Sequence, residues 1–340
     1  MAMTRFRFLS CLGAGALALG LPGVALAQGY PERPIKFVIP YAAGGATDIL
    51  GRLLASGLSE KLGQPVVVEN RPGAGTVLAA GQVAKAAPDG YTLLAGASTT
   101  LTLNPAIRNN LPYDPVNSFT PLGLVADMGL VLLVNNDVPV RTLKELVAQA
   151  KAAPDKFSYG SFGTGSSVHF GGEMLKSVTG MRMMHVPFNG SSPSLTALMG
   201  GQVQVAVDTV VASTPLLKAG KVRAIAALGP QRLELLPDVP TVAESGYPGF
   251  DMGTWFAFLA PAGLPAPVQR KLEKALADVM ASAELKKKML DLGLTPAWGN
   301  GEALRSRVER ELPLMRAVAA RADIRVDRGG GGAKGAFPGR

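Results

Sequence analysis

The chain has 340 residues, of which 47% are hydrophobic and only 6% aromatic, with a formal net charge of +9. This length allows two lobes with ample buried surface. The basic excess does not read as nucleic-acid binding: Lys144, Lys151, Lys271 and Lys274 are scattered, Lys286-Lys287-Lys288 form one cluster that reads as a solvated helix face, and no basic-aromatic stripe is present.

At the N-terminus Arg5 and Arg7 precede an apolar, charge-free run from Phe8 to Leu26, closed by the small-x-small pattern Ala25-Leu26-Ala27. These features predict a secretory signal peptide, residues 1–27, cut between Ala27 and Gln28. Gly20, Pro22 and Gly23 interrupt the run and argue against a membrane anchor. Cys11 lies too early for lipid attachment, and Arg-x-Arg is not a twin-arginine signal. Cleavage would leave 313 residues (340 minus 27), lower the charge to +7 and remove the single cysteine. The exported chain would then have no disulfide, thiol nucleophile or thiolate metal ligand.

Ile35 to Pro40 reads as a buried strand, Tyr41 to Asp48 as a small-residue loop, and the apolar-periodic run after it as a helix. Glycines let such a loop approach a ligand closely, and the free N–H groups of the following helix favour negative charge. An ordinary strand-to-helix turn is the competing reading. Val66 to Asn70 (strand), Thr76 to Ala86 (helix) and Tyr91 to Gly96 (strand) complete a first lobe. Pro121 to Asn135 holds two apolar runs broken by Asp127 and Gly129, where the chain crosses to a second lobe. There Leu143 to Ala152, Ser166 to Val178, Ser192 to Met199 and Ser213 to Ala219 read as helices. Phe157 to Ser161, Met183 to Phe188, Val203 to Asp208 and Val222 to Leu228 read as strands. Trp255 to Pro261 and the helices Pro265 to Ala281, Ala283 to Leu290 and Gly301 to Ala320 return to cover the first lobe. The domain expectation is 28–125 plus 250–320 for lobe 1, 126–249 for lobe 2, and 321–340 for a tail whose Gly-rich end has no apolar periodicity. The alternation predicts an α/β protein with parallel sheets.

Two such lobes joined by two crossings place loops from both around one cleft, at the carboxyl ends of the parallel strands. The candidate loops are Tyr41 to Asp48, Ser98-Thr99-Thr100, Gly163 to Ser167, Asn189 to Ser192 and Asp208-Thr209. They are rich in hydroxyls and backbone donors, which suits a small carboxylate held by neutral donors and helix N-termini. The same Ser and Thr residues also read as helix N-caps.

Several segments together carry a family resemblance: Tyr30-Pro31-Glu32-Arg33-Pro34-Ile35, the Pro40 to Asp48 loop, Val68 to Gly75, Pro88 to Leu94, His185 to Gly190, Gly200-Gly201-Gln202-Val203 and Leu236 to Thr241. From about Tyr30 to Ala320 the chain resembles the Bug family, the extracytoplasmic solute receptors of tripartite tricarboxylate transporters. The resemblance implies a two-lobe periplasmic binding protein of type II, a Venus flytrap that closes over a small carboxylate and delivers it to a membrane permease. It implies a monomer, no catalysis and no cofactor. Family binding positions carry over to Ala43, Gly44 and Asp48, to Ser98 and Thr99, to Thr164, Gly165 and Ser166, and to Asp208. Asn189 stands where a lysine or arginine is common, and Gln204 where the strand often begins with Asp. These departures bear on the distal end of the ligand. The residues alone favour a loop-fixing role for Asp48 and leave Asp208 open between structure and ligand contact.

Catalytic apparatus is not legible. Gly96-Ala97-Ser98-Thr99-Thr100 and Gly165-Ser166-Ser167 fail the Gly-x-Ser-x-Gly elbow. His169 and His185 lack the spacing of a metal site or triad, and Gly73-Ala74-Gly75 lacks the third glycine of a dinucleotide fingerprint. Solute capture for uptake is the first reading and a ligand-dependent sensing subunit the second, which neighbouring permease or sensor-kinase genes would separate. A periplasmic hydrolase or isomerase is a third, revealed by product formation.

Overall fold

The computed structural model describes residues 29–153 and 156–324. The signal-peptide expectation and the Gly-rich end of the tail lie outside the described residues. From Pro31 onward the chain forms two β-sheets flanked by helices. Strands β1 (Ile35–Ile39), β2 (Val66–Asn70), β3 (Thr92–Ala97) and β4 (Phe119–Met128) lie in the first sheet. Strands β5 (Leu130–Asn135), β6 (Ser158–Ser161), β7 (Met184–Pro187), β8 (Val205–Thr209) and β9 (Val222–Ala227) form the second. The chain then returns through β10 (Thr254–Pro261) and β11 (Leu294–Asn300) to the first. The spatial orders are β11-β4-β10-β3-β1-β2 and β7-β6-β8-β5-β9.

Helices α1 (Ala46–Leu62), α2 (Val77–Ala84) and α3 (Asn104–Ile107) follow strands of the first lobe. Helices α4 (Leu143–Ala152), α5 (Ser167–Thr179), α6 (Ser191–Met199) and α7 (Val210–Lys218) belong to the second. Finally α8 (Ala266–Ala281), α9 (Ala283–Asp291) and α10 (Gly301–Arg321) follow the return. Local chemistry sets these ends. Thr142 and Glu145 make a reciprocal capping box at α4, while Gly63 and Gly180, with φ of 69° and 68°, close α1 and α5 in the left-handed conformation.

The expectation of parallel sheets needs correction, because both sheets are mixed. β1 pairs in parallel with β2 and β3, and β6 with β7 and β8. By contrast β10 runs antiparallel to β3 and β4, and β5 antiparallel to β8 and β9. The reason is topological: a strand that enters a lobe from the other lobe arrives at the carboxyl ends of the parallel set and must run against it. The β4-to-β5 crossing is a single residue, Gly129, and a Cβ there would stand 2.1 Å from Leu233 Cδ2, so glycine lets the loop after β9 pack onto the crossing.

Apolar alternation fills each lobe. In the first, the Phe37 ring stacks on Phe258 at 4.3 Å, with Phe256 edge-on to both. In the second, Leu133, Leu195, Leu198, Val203 and Ala206 close a buried cluster beneath α6. Among the described residues no helix is long and apolar enough to cross a membrane.

Candidate functional site

Two helices that begin at glycines meet across the cleft. α1 starts after Gly45 and α6 after Gly190, neither with a side-chain cap. The first i→i+4 bonds run from Ile49 N to Gly45 O and from Ser194 N to Gly190 O, so the earlier amides of both helices have no partner within their helix. Gly45, Ala46 and Thr47 from one side and Ser191 from the other line a small cavity of about 20 Å³, walled further by Tyr41, Phe162, Thr209 and Thr254. Glycine permits this approach. A Cβ on Gly44, whose φ is +86°, would stand 2.8 Å from Ser192 Oγ, and one on Gly190, with φ +131°, the same distance from Ala42 Cβ. Two helix dipoles and their unsatisfied N–H groups aimed at one point favour an anion.

A second, larger chamber of about 180 Å³ shares Tyr41 and Phe162 with the first and lies between residues 72–76 of lobe 1 and residues 163–164 and 187–189 of lobe 2. Tyr41 and Phe162 meet edge to face, 5.5 Å between centroids, one ring from each lobe. Burial drives the Tyr41 phenol well above its usual range, against a hydrogen bond with Thr99, so it stays neutral. The loop opposite is strained: Ala74 and Thr76 hold φ of 48° and 82°, a region unfavourable to L side chains and especially to β-branched ones. Asn104 holds it there, with Nδ2 donating to Gly75 O at 2.5 Å and to Thr76 Oγ1 at 3.4 Å.

The nine sequence-predicted positions distribute unevenly around these spaces. Ala43 and Gly44 stand at the lobe contact, where Ser192 Oγ donates to Ala43 O at 3.1 Å. Thr164 lines the larger chamber. Thr99 Oγ1 accepts from Ser167 N of the other lobe at 3.2 Å while holding Tyr41. Ser98 instead shares a 2.8 Å hydrogen bond with Thr254 and borders a separate groove lined also by Asp127 and Arg307. Ser166 is the N-cap of α5, accepting from His169 N at 3.3 Å and donating to Gly163 O, and is fully buried. Gly165 presses on Asn104, with its amide donating to His169 Nδ1 at 3.1 Å. Asp48 turns away from both spaces: it accepts from Gly44 N, from Arg52 and from Asn70 Nδ2. Burial opposes its charge, but those hydrogen bonds prevail and hold its carboxyl below the usual range.

Asp208 lies behind the smaller cavity. Its Oδ1 accepts from Ser191 Oγ and Thr209 N, each at 2.7 Å, while Oδ2 has no partner among the described residues. Complete burial pushes its carboxyl up to about 7, opposed by those hydrogen bonds. Elsewhere in lobe 2 the rings of His169 and His185 stack at 4.1 Å. Burial lowers His169 to about 4, helped by Lys176 and Arg108, and His185 to about 3, helped by His169. His185 Nε2 lies 2.6 Å from Ser161 Oγ, but an imidazole with so low a proton affinity is a feeble general base, and Ser161 is fully buried. Sequence reasoning missed Tyr41, Thr47, Phe162, Ser191, Thr209 and Thr254 as individual wall residues, although four of the six fall inside loops it named and Phe162 borders one.

Residues 50–318 match the family model described as the tripartite tricarboxylate transporter family receptor. The chain belongs to that family. Among solved structures it is similar to the periplasmic binding protein BugD, at 38% identity and a TM-score of 0.84, covering 87% of this chain and 99% of that one. It is equally similar to a Rhodopseudomonas palustris protein solved with adipate, at 35% identity and TM-score 0.85, covering 87% and 99%. MatC of the same organism, solved with malate, is 34% identical with TM-score 0.81, covering 85% and 99%. These neighbours share the two-lobe α/β fold of periplasmic binding proteins, and the family is one of solute-binding receptors. Within it, the paired helix starts at Gly45 and Gly190 are where this chain offers anion-binding chemistry.

Proposed function

We propose that the chain is a periplasmic receptor that captures a small carboxylate in the interlobe cleft and presents it to a tripartite permease. The observation that carries the reading is the convergence of two uncapped helix N-termini, α1 and α6, on one cavity from opposite lobes. A carboxylate there accepts the first-turn amides of both helices at once, and only the closed arrangement supplies both sets, so binding favours closure. The relatives solved with adipate and malate support a carboxylate as the class of solute. In this proposal residues 1–27 are a cleaved export signal, 28–125 with 250–320 and 126–249 move as lobes about the two crossings, and the monomer acts by binding without catalysis.

Ala43, Gly44, Thr99 and Thr164 serve the closed cleft, and Asp208 positions Ser191. Ser98, Gly165 and Ser166 act through the loops they brace, as does Asp48. The test is a thermal-shift and calorimetric screen of the protein from Gln28 onward against carboxylates, the corresponding amides and amines. A solute at about 100 times its dissociation constant should stabilise by roughly 2.7 kcal/mol. Stabilisation by carboxylates and not by their amides is the expected result; a response to amines alone would overturn the reading. Loss of uptake of the same acid on deleting the permease tests delivery.

A further inference from the structure

We infer that the solute has a single carboxylate and an uncharged, largely apolar remainder, so that the larger chamber selects monocarboxylates over dicarboxylates. This rests on the carboxylate reading above and names the class of acid. With the carboxylate in the space between the α1 and α6 starts, the rest of the solute can extend past Tyr41 and Phe162 into the larger chamber, because these rings wall both.

No cation there compensates a second charge. None of the side chains lining the chamber is ionisable to a cation. Three rings, Tyr41, Phe162 and Phe188, supply apolar faces, and Pro40, Pro72 and Pro187 contribute no N–H donor. The cations around the loop are committed elsewhere. Arg52 holds Asp48 and Asn70, Arg71 holds Glu69 and Gln82, and Arg108 donates to Asn104 Oδ1 at 2.9 Å and to Ala74 O at 3.5 Å. A carboxylate moved from water into such surroundings loses hydration without gaining a counter-charge. An alkyl chain or ring loses nothing and gains contact. The chamber, at about 180 Å³, has room for a group of ring size. Asn189, exposed at the rim, is the lining position from which a cation could reach inward.

The experiment is calorimetric titration of the purified protein with acids paired by skeleton: hexanoate against adipate, octanoate against suberate, benzoate against terephthalate. The expected result is that the monocarboxylate of a pair binds roughly tenfold or more tightly than its dicarboxylate. Asn189→Lys should shrink or reverse that ratio by tightening the dicarboxylate, while the neutral Asn189→Gln should leave it alone; the position is at the exposed rim, and an unchanged melting curve without solute verifies the fold. Dicarboxylates binding the native protein as tightly as their partners would overturn the inference and leave the carboxylate reading standing. Failure of every acid of both kinds to bind the folded protein would overturn both.

Discussion

The two lobes floor the cleft in opposite ways. Below the α1 start of lobe 1, Asp48 is ionised and tied to Arg52, Asn70 and the Gly44 amide. Behind the α6 start of lobe 2, Asp208 is buried, and elsewhere in that lobe His169 is buried and His185 half-buried; burial drives each toward its neutral form. The negative charge of Asp48 is offset by a cation, whereas the ionisation of Asp208 is disfavoured by burial. The difference lies in how each lobe answers to pH.

The histidine pair should produce the largest effect. With folded values of about 4 and about 3 against 6.5 unfolded, the unfolded chain takes up protons below pH 6.5 that the fold refuses. Their contribution is complete above pH 6.5 and is lost as pH falls toward 3, on the order of 3–5 kcal/mol for each ring. Urea unfolding between pH 7 and pH 4 should therefore show a steep loss of stability that is much reduced in the His169→Gln/His185→Gln variant. An equal slope in both proteins would show that lobe 2 does not hold these rings neutral.

Asp208 should act with the opposite sign. Its folded value of about 7 lies above the ordinary 3.8, so its contribution is present below pH 4 and is lost as pH rises to 7, on the order of 4 kcal/mol. Asp208→Asn should gain stability relative to the native chain as pH rises across that window, whatever the constant cost of the new amide. A flat difference between the two proteins from pH 4 to 7 would show that the carboxyl is ionised throughout, and the contrast between the lobes would fail.

The smallest effect belongs to lobe 1. Asp48→Ala removes hydrogen bonds to Gly44, Arg52 and Asn70 and should cost about 1–3 kcal/mol near neutral pH. With its carboxyl held below 3.8, this contribution persists above that value and fades only as pH falls through the folded value. The thermal midpoint at pH 7 and at pH 3 should separate the two variants less at the lower pH.

The loops around the cleft were legible in the sequence because each follows an apolar strand run and opens an apolar-periodic helix, a pattern that Ile35 to Asp48 carries openly. Which residue of each loop faces the cleft was not. A Ser at the N-cap, such as Ser166, turns its hydroxyl back onto its own helix, whereas the next one or two positions, as with Ala46 and Thr47, point backbone amides outward. Residue type does not reveal that rotation, so it does not separate Asp48 and Ser166, which the family resemblance offered as ligand positions, from Thr47 and Ser191, which line the cavity. Tyr41 lies inside one candidate loop and Phe162 at the edge of another, but residue type does not mark either as a wall of the cleft. A signal was available, since each directly follows a strand and precedes a small-residue loop, the same order of parts in both lobes. β11 went unread because Pro296 and Gly299 break its alternation, and its pairing with β4 shifts register between them. The antiparallel direction of β5 and β10 depends on how the chain crosses between lobes, which no local pattern encodes.

The hydrogen bonds from Ser192 to Ala43 and from Ser167 to Thr99 join the lobes through groups of the chain itself. Part of the closing free energy is thus built into the chain and is the same for every acid. Since apparent affinity scales with the fraction of molecules already in the competent arrangement, changes at Ser192 or Thr99 would raise or lower the dissociation constants of all solutes together and leave their ranking untouched. The sensitivity of the receptor and its choice of solute are set at different residues and can be altered independently.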